Sequence, residues 1–211
     1  DALKAGASMA LVSDAGTPLV SDPGWKLVHE ALAEDIPVRP VPGASALLAG
    51  LVASGLPSDQ FMFAGFPPPK QAARRRFLED VAAVNATLVF YESGPRLATS
   101  LADMALVLGA DRDAAVAREL TKLFEETRRA SLIELAELYR EQGAPKGEIV
   151  VLVGPPKPPE RPDDATLDAA LLRALANAPV KAAAAEIAAA FGLPKRDVYQ
   201  RALALKDATD G

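Results

Sequence analysis

The apolar run Met9-Ala10-Leu11-Val12 breaks abruptly into Ser13, Asp14, Ala15, Gly16, Thr17 and Pro18, and a junction of this kind recurs along the chain. Val38-Arg39-Pro40-Val41 runs into Pro42-Gly43-Ala44-Ser45-Ala46, residues 87–91 into 92–96, and 114–117 into 118–122, while Gly147-Glu148 opens the run 149–153. Short apolar stretches of this type mark strands buried on both faces, so the pattern predicts a multi-strand α/β layer in which 9–12 is a buried parallel strand. Loops at the carboxyl ends of such strands are where open α/β sheets bind ligands. In the 13–24 loop, Gly16 and Gly24 permit close approaches that a side chain forbids, and Pro18 and Pro23 stiffen the backbone. Helices are predicted over 25–34, capped by Ser21 or Asp22 with Pro23 in the first turn, and over 44–54. An ordinary strand-to-helix turn has the same signature. Neither the GxGxxG fingerprint nor a P-loop pattern occurs, which argues against a nucleotide-phosphate cradle.

The chain has 211 residues, half of them apolar, enough for one sizeable α/β core and a small appendix. No segment reaches the roughly 18 uninterrupted apolar residues of a membrane span, so no membrane partner is expected. Its first residues lack the basic region and apolar stretch of a secretory signal, and a cytoplasmic location is expected. Cysteine is absent, which excludes disulfides, thiolate metal sites and a Cys nucleophile. The single histidine, His29, falls on a predicted helix, so a His-based metal site or catalytic triad lacks its parts and no metal is expected.

Gly154-Pro155-Pro156-Lys157-Pro158-Pro159-Glu160-Arg161-Pro162 is a stiff, proline-dense linker. The expected division is 1–56 as the remainder of a first α/β subdomain, 57–154 as a second, 155–165 as linker and 166–211 as a helical domain. Helices are predicted there over 167–175, 181–191 and 195–205, with the turn Gly192-Leu193-Pro194 between the last two. That is a helix-turn-helix pattern, with Val198, Tyr199 and Leu203 inward and Lys195, Arg196, Gln200 and Arg201 on an exposed reading face. A small helical bundle packing on the core or on a second subunit fits the same residues.

A net charge of −5 argues against a uniformly basic nucleic-acid binder, so any RNA contact must be local. The best candidate is the rigid turn Pro67-Pro68-Pro69-Lys70 followed by Arg74, Arg75 and Arg76, extended by Arg96, Arg118 and Lys122 at strand ends. A solvated helix face is the plainer account of the three arginines. The aromatics Phe61, Phe63 and Phe66 are expected in core packing.

The blocks SDAGTPLVSDPG, PGASA, GLPSDQFMFAGFPPPK, TLVFYESGPR, ARELTKLFEE and KGEIVVLVGP, in that order, resemble the bacterial 16S ribosomal RNA 2'-O-methyltransferase I family of the tetrapyrrole (corrin/porphyrin) methylase superfamily. The resemblance implies a tetrapyrrole-methylase-like α/β fold of two subdomains with a cleft between them, followed by a small helix-turn-helix-like C-terminal domain. The family starts with a further strand-turn-helix block, so part of the first subdomain is expected to be missing from this sequence. It also implies S-adenosylmethionine as methyl donor, the 16S rRNA of the small ribosomal subunit as partner, and a homodimer. Carried over to this chain, Asp14, Ala15, Gly16, Thr17, Pro18, Ser45 and Ala46 contact the donor, and the strand ends at Tyr91, Ala117 and Gly147 close around it.

Methyl transfer to a ribose hydroxyl gains mainly from alignment, with a base or cation near the oxygen to help its proton leave. Glu119 or Lys122 is the candidate for that group, and Lys70, Arg74, Arg75, Arg76, Arg96 and Arg118 are the candidates for binding RNA phosphate. Salt bridges are the competing account: Glu119 with Arg118 or Lys122, and Glu92 with Arg96. Two other functions remain open at this level, methylation of a small corrin or porphyrin and a non-enzymatic ligand sensor carrying a helix-turn-helix.

Overall fold

Three of the apolar runs form the centre of one five-stranded sheet, ordered β1-β2-β5-β3-β4, with β1 (Phe61–Gly65), β2 (Thr87–Ser93), β3 (Asp113–Arg118), β4 (Glu126–Ser131) and β5 (Glu148–Val153). The computed structural model describes residues 1–14, 16–157 and 162–210, apart from the side chains of 207–210. Its contacts divide the chain into two units, Asp1–Pro156 and Lys157–Gly211. The sheet is mixed: β1 and β2 are parallel, whereas β5 lies antiparallel between β2 and β3, and β4 is antiparallel to β3.

Alternate residues of these strands enter two different cores, which is why the runs carry no polar period. On one face Leu88, Phe90, Ala114, Val116, Ile149, Val151 and Val153 pack under α3 (Gln71–Val81), α4 (Gly94–Leu108) and α5 (Leu132–Gln142). On the other, Val89, Ala115, Ala117, Val150 and Leu152 meet Leu47 and Leu51 of α2 (Ala46–Ser54). α2 lies close to the sheet because of Gly50, where a Cβ would stand 3.1 Å from Val150 Cγ1.

The first 60 residues depart from expectation. The segments 9–12 and 38–41 form no strand, and Val12 and Val41 are 81% and 86% exposed. Neither finds a ladder partner among the described residues, and without one an apolar run has no reason to stay extended in a sheet. α1 (Trp25–Ala33) starts from Gly24, and neither Ser21 nor Asp22 caps it. Phe61 and Phe66, expected in the core, are exposed, while Phe63 packs at its edge.

The second unit holds α6 (Asp164–Leu175), α7 (Val180–Phe191) and α8 (Lys195–Asp210). Gly192 ends α7 in the left-handed conformation, and Leu167, Leu171, Ala184, Ile187, Ala188, Val198 and Ala202 form the core. Tyr199 and Leu203 are exposed, and Ala202 takes the inward place expected of Leu203. Arg201 turns back to α6, donating to Asp168 at 3.0 Å and pairing with Asp164 at 2.9 Å, so it leaves the expected reading face to Lys195, Arg196 and Gln200.

Polar order in the first unit centres on Asp103 of α4. Its buried carboxylate pairs with buried Arg74 at 2.6 Å and with Arg75 at 2.7 Å, and Arg74 also donates to the Pro69 carbonyl at 3.1 Å. Together they clamp the proline turn and the first turns of α3 onto α4. Burial drives the Asp103 carboxyl up, but the hydrogen bonds from Arg75 and Arg74 outweigh it and leave it below the ordinary aspartate range. A depressed folded value means that the cluster's stabilisation is complete above the unfolded value of about 4 and is lost as pH falls below it. Asp103→Asn, which strands the Arg74 guanidinium, lowers unfolding stability by about 3 kcal/mol, and denaturant titrations at neutral and acid pH show the gap closing on the acid side.

Candidate functional site

The antiparallel insertion of β5 decides which residues meet. Ser93 of β2 stands opposite Glu148, and Arg118 of β3 opposite Ile149, so the start of β5 lies beside the carboxyl ends of both neighbours. One edge of the sheet thereby gathers Tyr91, Ala117, Glu119, Lys122, Gly147 and Glu148 from segments far apart in sequence.

At the β3–β4 turn, the Glu119 amide donates to the Glu148 carbonyl at 3.0 Å and the Glu148 amide donates back to the Glu119 carboxylate at 3.0 Å. The Lys122 ammonium bridges Glu148 at 2.9 Å and Glu119 at 3.0 Å. Both charges are thereby locked in. The Glu148 amide, then Lys122, holds the Glu119 carboxyl below its usual value, and Glu148, then Glu119, pushes the Lys122 ammonium above its own. Gly147 makes room for this: a Cβ there would lie 2.4 Å from the Glu119 carboxylate, and its φ of +104° disfavours any side chain.

Above the sheet, the loop 13–18 faces the loop 43–46. Thr17 Oγ1 donates to the Ala44 carbonyl at 3.2 Å, and Ser13 Oγ to the Gly16 carbonyl at 3.3 Å. Gly16 has φ +77°, and a Cβ on it would project toward the Ala44 carbonyl oxygen, 3.9 Å away. Asp14 and Thr17 are exposed and Pro18 half-buried, whereas Ala15 lies outside the described residues. Ser45 begins α2 without capping it through its hydroxyl, so that hydroxyl makes no bond to the helix it precedes. Arg129 of β4 fixes the far end of the same helix by donating to the carbonyls of Ala53 and Ser54. Its side chain offers the helix C-terminus a positive charge where one is favoured.

Tyr91 ties these parts together. Its ring meets Phe63 at 4.9 Å and Phe66 at 5.5 Å, edge to face. Burial pushes its phenol up, partly offset by a hydrogen bond with the Leu47 backbone in the first turns of α2, and the charges of Asp22 and Glu148 add to the rise. Ala117 is fully buried, with its backbone in ladders to Val150 and Thr127, so it offers the site a small side chain and no free backbone group.

The basic residues do not form one patch. Arg74 is interior, and Arg75 shares its carboxylate partner, so the run 74–76 is not a solvated basic face. Arg96 donates to Glu92 at 2.8 Å and to the Pro67 carbonyl at 2.8 Å. Glu92 itself is buried, and also accepts from the Ser93 amide and from Ser100. Arg118 Nη1 donates to the Lys146 carbonyl at 3.0 Å, its Nε lies 3.6 Å from Glu126, and that buried Nε makes no hydrogen bond among the described residues. Lys70 and Arg76 are exposed. His29 is exposed on α1 and stacked on Trp25, centroids 5.3 Å apart. Among the described residues no three carboxylates or imidazoles converge as a metal site requires.

The sequence profile of the tetrapyrrole (corrin/porphyrin) methylases matches residues 1–136, and that of the RsmI C-terminal HTH domain matches 161–206. The chain is 53% identical over 206 residues to ribosomal RNA small subunit methyltransferase I of Mesorhizobium japonicum, covering 98% of this chain and 70% of that protein. To the protein of the same name in Pseudomonas aeruginosa it is 48% identical over 206 residues, covering 95% and 72%. Among solved structures, uroporphyrin-III C-methyl transferase from Thermus thermophilus, complexed with S-adenyl homocysteine, is similar over 66% of this chain and 62% of that one, at 25% identity and a TM-score of 0.46.

Gly147→Ala tests the turn directly. The added carbon displaces the Glu119 carboxylate from the Glu148 amide and from Lys122, and stability falls by about 1–3 kcal/mol. NMR titration of labelled lysines then finds Lys122 returned toward the ordinary lysine value while the α3–α4 core is unchanged.

Proposed function

The chain belongs to the ribosomal RNA small subunit methyltransferase I family of the tetrapyrrole methylases, and we propose that it 2'-O-methylates a cytidine ribose in the decoding region of 16S rRNA, with S-adenosylmethionine as donor. Kinship with ribosomal RNA enzymes along nearly the whole chain carries the proposal. We infer that it works in the cytoplasm on the small ribosomal subunit, as a homodimer in keeping with the superfamily.

The residues present fit such a donor. Two facing loops of small residues, joined by the bond from Thr17 to the Ala44 carbonyl, leave Gly16 exposed in a left-handed backbone conformation that disfavours a side chain. Asp14, Gly16, Thr17, Pro18, Ser45 and Ala46 hold the donor on that side, with Ala15 assigned by resemblance alone, and Tyr91, Ala117 and Gly147 form the floor. When bound, the donor would supply an electrophilic methyl on a sulfonium, which the ribose oxygen would take in line as the C–S bond breaks and the neutral thioether leaves.

Lys122 is the cation set beside that oxygen. It is held charged by Glu148 and Glu119, so it stabilises the oxygen as the proton leaves to solvent and does not act as the base. Glu119 is the positioning partner, kept ionised by the same bonds. Of the cations proposed for phosphate, Lys70 and Arg76 are exposed for direct contact, Arg75, Arg96 and Arg118 keep protein partners as well, and the interior Arg74 acts by fixing the turn that carries Lys70.

Incubation of the full chain with labelled donor and 30S subunits lacking the modification transfers label to one ribose, found by mapping the methylated nucleotide. Label on small molecules and none on RNA overturns the proposal. Lys122→Ala lowers kcat about 100-fold with donor binding retained, and Lys122→Arg recovers most of it, as expected for a group that acts through its charge.

A further inference from the structure

We propose that the turn between β3 and β4 is a stacking platform for one unpaired nucleobase of the RNA substrate, with the ring of Phe124 as its face. This rests on the RNA-methylating function proposed above. Leu123 and Phe124 are 89% and 66% exposed at the tip of the turn. The turn that displays them is rigid. Glu119 and Thr121 take left-handed backbone angles, φ 49° and 64°, which side-chain-bearing residues avoid unless their surroundings impose them. The imposing bonds are present: Glu119 to Glu148 in both directions, Lys122 to both carboxylates, the Lys122 amide to the Glu119 carbonyl, and the Thr121 amide to Glu125. Leu120, half-buried, packs the base of the turn on the core beneath α2.

A segment held this tightly, with two large apolar side chains left in water, is built for an occupant. The occupant must be small. Leu123 and Phe124 stand in the chain between Lys122 and the acidic Glu125 and Glu126, and two apolar side chains are far fewer than the roughly 20 residues a side that a stable protein interface takes. A single base needs only one ring face, and unpaired RNA bases are commonly held by stacking on aromatic side chains. The carboxylates nearby are engaged, Glu119 and Glu148 by Lys122 and Glu125 by the Thr121 amide, so the tip is not a bare acidic surface. Lys122, two residues before Phe124, is the cation placed above beside the ribose oxygen, so a base stacked on the ring lies next to that proposed acceptor side.

The test compares wild type, Phe124→Ala and Phe124→Trp as full chains, with unmodified 30S subunits and labelled donor. Loss of a stacking face weakens binding about 5- to 150-fold per base, so F124A raises KM for 30S subunits by that factor while the donor Kd, measured by calorimetry, is unchanged. F124W restores KM to within about 3-fold, and an unpaired cytidine oligoribonucleotide quenches its fluorescence beyond the quench seen with wild type. An F124A enzyme that labels RNA with the wild-type KM overturns the platform alone. A defect accompanied by a smaller sedimenting species assigns the face to a second copy of the chain and also overturns it. Wild-type protein that binds donor yet labels no RNA overturns the substrate assignment itself.

Discussion

The insertion of β5 antiparallel between β2 and β3 is the constraint on which the rest depends. In an all-parallel arrangement the start of a strand and the ends of its neighbours lie on opposite edges of a sheet. Here the reversal brings Gly147 and Glu148 to the ends of β2 and β3, and only there can Glu148 close the turn that carries Lys122. The same reversal leaves one sheet face with a floor of Val89, Ala115, Ala117, Val150 and Leu152, smooth enough for α2 to settle at the distance Gly50 allows. Position of the helix and charge of the turn are two consequences of one strand's direction.

The central strands were legible in the sequence because burial on both faces demands apolar residues at every position, as in the run 149–153. β4 was not legible. Its residues, Glu-Thr-Arg-Arg-Ala-Ser, show no apolar period, and they are extended because β3 offers a ladder and the edge position tolerates polar side chains. The converse holds at 9–12 and 38–41, where apolar character suggests strands that the described residues give no ladder. A strand is a property of a pair, and the periodicity of one segment says nothing about its partner.

The charges follow the same logic. A run of three arginines looks like a surface for phosphate, but Asp103 lies 29 residues beyond Arg74 and draws the first of them into the interior. Where partners are close in sequence, as with Glu92 and Arg96 or Glu119 and Lys122, the spacing itself suggests the pairing. For Arg201 and Asp168, 33 residues apart, it does not. Long-range ion pairs depend on which helix packs on which, and that is settled only by the assembled core.

The small-residue loops and the charged turn differ in what holds them. Among the described residues the loops 13–18 and 43–46 meet through the bond from Thr17 to the Ala44 carbonyl, with Ser13 bonded to the Gly16 carbonyl within the first. The turn at 119–125 is the reverse case. Its bonds are complete within the protein, two of its residues sit in costly backbone angles, and its apolar tip has no cover. A rigid element can set the position of a second reactant only if its geometry does not wait on that reactant's arrival. With Gly147 leaving space for Glu119, and Glu119 holding Lys122 with Glu148, the protein has the means to fix a cation before any substrate binds. In the reaction proposed above, that fixed cation stands on the acceptor side and the small-residue loops on the donor side, and an in-line transfer gains from an acceptor side set in advance.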